Sequence, residues 1–275
     1  MPNPKSKVSA TNLTRARDEA VAAARAVGQL MRRNLHRTKS AHEVTKHDIK
    51  LDLDVQSQKL IEKKLHRAFP DIALLGEEGV AGDPKAPWRW VVDPIDGTVN
   101  FAHSIPHACI SIALQGRAGT GGTADYRDGF NTFVGVVYDP FCDELWTAIR
   151  GQSARLNGRA IRVSKRKTPG EAIVSIGFSK TSESLEATLP AFNNLIRRVR
   201  KVRLMGAAAL ALTYVASGRF DAYLERGIRL WDIAAGGLIL ECAGGEFLHE
   251  DVDSDHAYRM KASNALVGKH FPMPD

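Results

Sequence analysis

The fold of this chain is constrained most by a series of short apolar segments between residues 72 and 149, each about the length of a β-strand. They are separated by glycine, proline and aspartate, which favour turns, and they read IALLG, RWVVD, ACISIAL, FVGVVYDP and ELWTAI. After about residue 150 the strand-like segments AIVSIGF, KVRLMG, FDAYLE, GEFLHE and NALVG alternate with the helix-like segments ESLEATLPAFNNLIRRV, AAALALTYVASG and DIAAGGLILECAGG. We therefore expect two α/β lobes, residues 1–150 and residues 151–275, that meet without a flexible linker.

Two helices are expected before the first of these strands. Residues 11–37 carry apolar side chains on one side, acidic residues near the start and arginines near the end, as the helix dipole favours. A second helix is expected over residues 54–69, with Asp54 at the N-cap and Pro70 as the stop.

Three local patterns predict connections and surfaces. The pair Asn157-Gly158 predicts a tight hairpin turn. Residues 116–129, rich in glycine, predict a flexible surface loop between two strands, for which the sequence offers no functional account. The basic run IRRVRKVR at residues 196–203 predicts a solvated helix end that leads into a strand, because it lacks interleaved aromatic residues.

Composition excludes several classes of protein. The chain has 275 residues, of which 44% are apolar and 25% are charged, as in ordinary globular domains. Its three cysteines form no CxxC or Cys/His cluster, so neither a disulfide framework nor a zinc site is expected. We find no apolar leader and no run of about eighteen apolar residues, and we therefore expect a soluble, cytoplasmic protein without a membrane partner.

The net charge of +7, with a pI near 9.4, indicates attraction to anions without identifying them. A positively charged protein attracts nucleic acid, anionic membranes and anionic small molecules alike. Since no segment resembles a nucleic-acid-binding motif, we expect a small anionic ligand and no nucleic acid.

Acidic residues follow apolar strand-like segments at three places: Glu77 in LLGEEG, Asp93 with Asp96 in VVDPIDGT, and Asp232 in RLWDIAAG. Burial of an ionised carboxylate is costly unless a cation compensates it. Lysine could serve, but Mg²⁺ prefers oxygen ligands of this kind, and the shortage of nearby histidine argues against zinc.

The spacing within DPIDGT fits such a site. Pro94 restricts the turn, so that Asp93, Asp96 and the carbonyl of Ile95 can converge on one ion. After the turn, a helix start at Thr98 would offer backbone N–H groups and a hydroxyl to an anion. Acids that gather cations beside donors that gather an anion predict a metal-assisted phosphate site.

The sequence also resembles the inositol monophosphatase family of lithium-sensitive, magnesium-dependent phosphatases. The resemblance covers residues 48 to 267 and rests on GEEG, WVVDPIDGTVNFAHSIPHACISIAL, GVVYDP, RLNGRAI, GRFDAYLE and WDIAAGG, which follow in the family's order and close to its spacing. It implies a mixed α+β and α/β fold, a layered αβαβα sandwich of the inositol monophosphatase and fructose-1,6-bisphosphatase type.

The resemblance implies a set of metal ligands. Glu77, Asp93 and the carbonyl of Ile95 would hold one Mg²⁺. Asp93 would be shared with a second ion, held also by Asp96 and Asp232, and Glu77 would assist a looser third ion. Two to three Mg²⁺ ions per site are therefore expected.

The resemblance further implies which residues act on water and substrate. Asp54, Glu77 and Thr98 would be catalytic, with Asp54 and Thr98 orienting the attacking water. The implied substrate contacts are Asp96, Gly97, Thr98, Gly206 and Glu225.

These residues imply an inositol-1-monophosphatase-like phosphoric monoester hydrolase. It would hydrolyse myo-inositol monophosphate to inositol and phosphate with metal-activated water and without a phosphoenzyme. Ala207 departs from the hydroxyl residue that several inositol phosphatases carry after this glycine, so fructose 1,6-bisphosphate, histidinol phosphate and adenosine 3′,5′-bisphosphate stay as alternative substrates. Family members are often homodimers, and we expect one here.

A different class of function stays open: an RNA- or protein-binding regulator whose phosphatase site is idle. The net charge motivates it, whereas the presence of every expected metal ligand counts against an idle site.

Several residues also have structural alternatives. Asp54 and Asp232 begin helical patterns, and each could be only an N-cap. Glu77 is chosen over its neighbour Glu78 on the family pattern alone. Glu225 could form a surface salt bridge with the adjacent arginine. The family's lysine upstream of the first acidic motif would be Lys39 or Lys46.

Overall fold

A computed structural model of the protein describes residues 10–39, 41–44, 49–119, 124–177, 182–252 and 256–274. Within these ranges the helices are α1 (Ala10–Asn34), α2 (Asp52–Ala68), α3 (Thr98–Ala102), α4 (Ser182–Arg198), α5 (Ala208–Ala216) and α6 (Leu230–Cys242). The strands are β1 (Ala41–Val44), β2 (Ile49–Leu51), β3 (Ala73–Gly76), β4 (Gly79–Ala81), β5 (Trp88–Asp96), β6 (Cys109–Arg117), β7 (Phe130–Asp139), β8 (Glu144–Ile149), β9 (Arg155–Leu156), β10 (Arg159–Ala160), β11 (Ile173–Ile176), β12 (Lys201–Arg203), β13 (Ala222–Arg229), β14 (Glu246–Asp251) and β15 (Ala257–Ser263). None of the described helices combines the length and the apolar content needed to cross a membrane.

Two mixed sheets organise these strands. The larger one, called the large sheet, has the order β10-β9-β8-β7-β6-β5-β3-β4, with only the β3–β5 pair parallel. The small sheet has the order β12-β11-β13-β15-β14, with β11 parallel to both of its neighbours. The strands β1 and β2 form a separate antiparallel pair.

The helices and sheets stack in five layers. On one face of the large sheet, α1 and α2 bury residues such as Val27 and Ile61 against Val136. On its other face, α5 and α6 bury residues such as Leu212 and Ile239 between the two sheets. The helix α4 covers the far face of the small sheet, where its Leu195 lies in one apolar cluster with Val174 of β11 and Leu224 of β13. Burial of these apolar faces stabilises the stack, and the predicted α/β class and αβαβα layering are confirmed.

Several predicted elements agree with the structure. The hairpin turn is present between β9 and β10, where Asn157 and Gly158 have φ values of 47° and 79°. The basic run 196–203 is a helix end followed by the edge strand β12, as predicted. The large sheet continues to Ala160, and α5 and α6 of the second half pack on it. The division into lobes near residue 150 stays a prediction.

The start of the second predicted helix and the last predicted strand were wrong. The second helix begins at Asp52 and its N-cap is Leu51, so Asp54 occupies the third helical position instead of the N-cap. The reason is a hydrogen bond across the first turn, in which the Leu51 N–H donates to Asp54 Oδ2 at 2.7 Å. The strand predicted in NALVG is absent, because Asn264 Oδ1 accepts the N–H groups of Leu266 and Val267 and closes a turn there. The strand in that part of the small sheet is β15, just before this turn.

The loop predicted at 116–129 is shorter than expected, since β6 continues to Arg117. Residues 120–123 lie outside the described ranges. Of the remainder, Tyr126 is 4% exposed and its ring stacks on His249 of β14, with 4.6 Å between ring centroids. The part of the loop around Tyr126 is therefore packed against the small sheet and is not a solvated surface segment.

Candidate active site

Asp93 and Asp96 lie within β5, which does not end at Asp93 as the sequence indicated. In the pairing of β5 with β6, Asp93 lies opposite Ser111 and Asp96 lies opposite Cys109. Three residue steps along β5 therefore correspond to only two along β6. This extra residue is a β-bulge, a feature that re-aims side chains. Side chains three residues apart would otherwise point to opposite faces of the sheet. The bulge thus permits both aspartates to face one site, and proline is tolerated at such a position.

A short turn connects this bulge to α3. Gly97 has φ 90°, and a Cβ built on it would lie 2.9 Å from the carbonyl oxygen of His107, so only glycine fits without a shift. The helix α3 then begins at Thr98, as predicted, and Thr98 Oγ1 donates to the carbonyl oxygen of Ile95 at 2.8 Å. The Ile95 N–H in turn donates to Asp93 Oδ1 at 3.0 Å. Backbone and side chains of the motif therefore fix one another.

Asp96 also anchors the start of α5. Its Oδ1 accepts the Ala208 N–H at 3.0 Å and its Oδ2 accepts the Ala209 N–H at 2.7 Å. Cys109 Sγ donates to Asp96 Oδ2 at 3.4 Å. Because Asp96 is on the large sheet and α5 lies between the sheets, this side chain joins two layers at the site.

Asp232 comes from a third element, the first turn of α6. It is the third helical residue, and its Oδ2 accepts the Arg229 N–H at 2.9 Å. One carboxylate oxygen each from Asp93, Asp96 and Asp232 lies within 4.8 Å of the other two. We call these three side chains the acid cluster. Neither Asp54 nor Asp232 is therefore an N-cap residue. Each is the third residue of its helix, and its carboxylate accepts a hydrogen bond from the N–H of the N-cap residue.

The acid cluster favours a compensating positive charge. Burial raises the pKa of the Asp93 carboxyl well above its usual range, and the negative charges of Glu77, Asp96 and Asp232 raise it further. Burial and then the charge of Asp232 raise the pKa of Asp96 to about 7, although hydrogen bonds from α5 oppose this shift. Carboxylates this close can all be ionised only if a positive charge compensates them. A buried set of carboxylate oxygens is the donor set that Mg²⁺ and similar hard cations prefer, so these residues fit a divalent cation.

Glu77 lies close enough to the acid cluster to act on its charge, and Asp54 lies on another element, α2. Glu77 follows β3, and its N–H donates to the carbonyl oxygen of Val92, the residue before Asp93. The bond length is 3.1 Å, and the charge of Glu77 contributes to the raised pKa of Asp93. Asp54 is 2% exposed and is held at the start of α2. Glu77 is therefore a charged neighbour of the cluster rather than one of its three members.

Two of the predicted substrate residues, Gly206 and Glu225, come from the second half of the chain, before α5 and in β13. Gly206 has φ 69°, and its carbonyl oxygen lies 3.2 Å from a Cβ built on Gly97. Glu225 lies in β13, which continues to Arg229 instead of ending at Glu225. The Tyr223 hydroxyl donates to Glu225 Oε2. Burial raises the pKa of Tyr223 well above its usual range, and the charges of Glu225, Asp96 and Asp232 add to that shift.

Asn100 is a site residue that the sequence analysis missed. Its Nδ2 donates to the carbonyl oxygens of His107 and Met205, both at 2.9 Å, and therefore joins α3 to the segment before α5. Gly206 packs on the same amide, because a Cβ there would lie 3.3 Å from Asn100 Nδ2. Its position in the motif DGTVNF was the available signal, since a polar residue inside a five-residue helix must find partners elsewhere.

Of the two lysines considered, Lys39 has local partners and Lys46 lies outside the described residues. The Lys39 ammonium donates to the carbonyl oxygen of Leu35 at 2.6 Å and to Ser104 Oγ at 3.3 Å, and it lies 5.0 Å from the ring centroid of Phe101. Burial lowers the pKa of Lys39. These contacts link α1 to the end of α3.

Comparisons with known proteins agree with this geometry. The profile of the inositol monophosphatase family matches residues 12–266. A Xylella fastidiosa protein named Nus factor SuhB is 41% identical over 82% of this chain and 78% of its own length. A Rhizobium meliloti inositol-1-monophosphatase is 41% identical over 70% of this chain and 68% of its own. The structure of inositol monophosphatase from Anabaena superimposes with a TM-score of 0.77 and 32% identity, covering 94% of both chains. The chain therefore belongs to the inositol monophosphatase family.

Proposed function

We propose that the protein is a Mg²⁺-dependent phosphatase that hydrolyses myo-inositol monophosphate to inositol and phosphate. The observation that carries the proposal is the acid cluster, in which the buried carboxylates of Asp93 and Asp96 and the partly buried carboxylate of Asp232 approach within 4.8 Å of one another. Such an arrangement is unfavourable in a protein that binds no cation there. The relatives that are named inositol monophosphatases support the reaction class.

The residues that would hold Mg²⁺ are Glu77, Asp93, Asp96, Asp232 and the carbonyl of Ile95. When bound, two or three Mg²⁺ ions would supply Lewis acidity that lowers the pKa of water and neutralises charge on the phosphoryl group. The protein's own contribution is rigidity, because the bulge in β5 and the first turn of α6 hold these oxygens in place.

Thr98, Asp54 and Glu77 would orient the attacking water. The Thr98 hydroxyl proton is directed at the carbonyl oxygen of Ile95, so Oγ1 has only lone pairs to offer and would accept a hydrogen bond from water. Asp54 would accept a second hydrogen bond with its carboxylate. Held from two sides, the water would attack phosphorus directly, without a phosphoenzyme. The ester bond between phosphorus and the alcohol oxygen would break as the new bond forms, and one proton of the water would pass through solvent to the departing alcohol.

The phosphate would lie at the turn that Gly97 and Thr98 form. Backbone N–H groups that follow a residue with positive φ form a concave anion site, and the φ of Gly97 is 90°. Gly206 and Asp96 border this turn, and Glu225 would accept hydrogen bonds from substrate hydroxyls. The Tyr223 hydroxyl would keep the Glu225 carboxylate oriented.

The proposal is tested with a panel of phosphate monoesters assayed in Mg²⁺, with and without lithium, and after chelation. We expect myo-inositol monophosphate to be hydrolysed faster than fructose 1,6-bisphosphate, histidinol phosphate and adenosine 3′,5′-bisphosphate, and we expect lithium to inhibit. Preference for another member of the panel would replace inositol as the substrate. Activity that persists without divalent cations would refute the metal mechanism. Sedimentation analysis of the same preparation tests the proposed homodimer.

A second candidate function is binding to RNA or to a protein assembly, supported by the net charge of +7 and by relatives that are named Nus factor. Salt-dependent binding to RNA, unchanged in Asp232→Asn, would favour it. No mobility shift of RNA at low salt would dismiss the RNA form of this candidate.

A further inference from the structure

The turn between β3 and β4, which carries Glu77, is held by a side chain from α2. Gln58 lies one helical turn after Asp54 and is 6% exposed. Its Oε1 accepts the N–H of Glu78 at 2.9 Å, and its Nε2 donates to the carbonyl oxygen of Gly79 at 3.1 Å. Both ends of the amide are used, and its orientation is therefore fixed.

The glycine at position 76 is explained by the same amide. A Cβ built on Gly76 would lie 2.5 Å from Gln58 Cδ and 2.8 Å from Gln58 Nε2, closer than nonbonded atoms approach. Gly76 does not have a positive φ, so its backbone conformation does not demand glycine. Glycine is needed at position 76 because the Gln58 side chain occupies the space that a Cβ would take.

The backbone at Glu77 is therefore held from two sides. On one side its own N–H donates to the carbonyl oxygen of Val92 in β5. On the other side the next residue donates to Gln58 of α2. Because α2 also carries Asp54, one helix sets the positions of two acidic residues relative to Asp93.

We propose that Gln58 is a positioning residue that holds Glu77 for metal binding, with Gly76 providing the space that its amide needs. This inference rests on the proposed function, since it assigns Gln58 a role in the Mg²⁺ site. Removal of a hydrogen-bonding partner of a metal ligand typically changes metal affinity by about 10-fold to 100-fold. Gln58 bonds the two residues after Glu77 and acts on it through the turn, so we expect at least the lower end of that range. A side chain that merely stabilises the turn would change the unfolding free energy without changing the affinity for Mg²⁺.

The test is a calorimetric titration of Mg²⁺ into chelator-treated full-length protein. Gln58→Leu removes both hydrogen bonds at similar volume, and Gly76→Ala displaces the amide without changing residue 58. We expect both variants to weaken Mg²⁺ binding by about 10-fold or more. The matched control is Gln115→Leu, which removes a buried glutamine amide bonded to Arg89 and Thr132, near the ends of β5 and β6 that lie away from the acid cluster. This control is expected to lower the melting temperature and to leave Mg²⁺ affinity unchanged.

A double-mutant cycle identifies Glu77 as the residue through which Gln58 acts. In a Glu77→Gln background, Gln58→Leu should change Mg²⁺ affinity by less than about twofold, because the ligand that it positions is already lost. An effect of full size in that background would overturn the assignment to Glu77.

The outcomes separate this inference from the proposed function. Wild-type binding of Mg²⁺ together with unaltered affinity in Gln58→Leu and Gly76→Ala overturns only the role of Gln58. Failure of the wild type to bind Mg²⁺ overturns the metal mechanism and this inference with it. If neither variant folds with or without Mg²⁺, the amide is a structural element and the proposal is overturned.

Discussion

Buried acidic side chains occur in two regions of this molecule, and their surroundings differ. Asp221, just before β13, has a fully buried side chain. Its Oδ1 accepts hydrogen bonds from Ser164 Oγ and from Arg166 Nε, the latter at 2.7 Å, and its Oδ2 accepts the Ile173 N–H at 2.8 Å. In the acid cluster, by contrast, the carboxylates of Asp93 and Asp232 face each other. The charge of Asp221 is compensated by donors of the protein itself, whereas the raised pKa values of Asp93 and Asp96 mean that the cluster holds protons unless a cation replaces them.

Under the proposed function, this difference separates a structural acid from a functional one. The bonds of Asp221 join the segment before β11 to β13, so its charge stabilises the small sheet. Proximity of like charges in the acid cluster opposes folding, and the cluster persists because the bulge in β5 and the start of α6 are held by other contacts. Substitutions in the two regions should therefore have opposite effects on stability and activity.

The largest expected effect is the loss of turnover in Asp93→Asn. Removing the central carboxylate of the cluster should lower kcat/KM by about 10³-fold, because loss of metal binding removes several kcal/mol of transition-state stabilisation. The unfolding free energy measured in chelator should be unchanged or higher, since one of several like charges is gone. Assays on myo-inositol monophosphate and urea unfolding of the same preparation check both parts. A variant that keeps near-normal rates would refute the role of Asp93.

The next effect is stabilisation by Mg²⁺ itself. At a concentration about 100 times its dissociation constant, Mg²⁺ should add about 2.7 kcal/mol to the unfolding free energy. For a chain of this size, that corresponds to a rise of roughly 5 to 10 °C in the melting temperature. Thermal unfolding of chelated protein with and without Mg²⁺ measures it, with matched ionic strength as the control. Asp232→Asn should lose the shift and Asp221→Asn should keep it; equal shifts in both variants would contradict the distinction between the two regions.

Asp221→Asn should be the more damaging change for stability. The amide cannot accept hydrogen bonds from both Arg166 and Ile173 as the carboxylate does, and we expect a loss of about 2 kcal/mol. Arg166 is partly exposed, so the loss should stay below that of a fully buried pair. Urea unfolding in chelator measures the change, with Mg²⁺ affinity as the internal control. A loss below about 0.5 kcal/mol would show that the pairing of Asp221 contributes little.

Without the family resemblance, the residue pattern does not separate the two kinds of acid. Asp221 in GRFDAYLE, like Asp93 in WVVDPIDGT, is an acid beside apolar residues. What distinguishes Asp221 is a pair of partners 55 and 57 residues earlier in the chain, Arg166 and Ser164. Contacts at that separation are set by the tertiary fold, which local patterns do not encode.

Other parts were predicted well, and the reason is that their causes are local. Asn157-Gly158 determines a turn with its own backbone preferences, and the apolar segments of the large sheet are bounded by turn residues. The bulge in β5 was missed because it depends on the register of β5 against β6. The turn at Asn264 was missed because the apolar residues after it were interpreted as a strand, whereas the Asn264 side chain bonds the backbone there. Prediction of the site residues relied on the motifs, while their mutual geometry required the fold.

The smallest expected effect is a pH dependence of stability that is confined to the acid cluster. In chelator, the folded-state pKa of Asp96 is raised to about 7, against an ordinary value of 3.8. Between these values the folded protein binds a proton that the unfolded chain does not, so this contribution to stability is present at low pH and is lost as the pH rises through about 7. Buried histidines with lowered pKa values, such as His249, act in the opposite direction, so the wild type must be compared with Asp96→Asn. The unfolding free energy of the wild type minus that of the variant should fall by on the order of 1 kcal/mol between pH 4 and pH 7.

Saturating Mg²⁺ should remove this pH dependence, because a bound cation replaces the proton as the compensating charge. A pH dependence that persists in Mg²⁺ would place its origin outside the acid cluster.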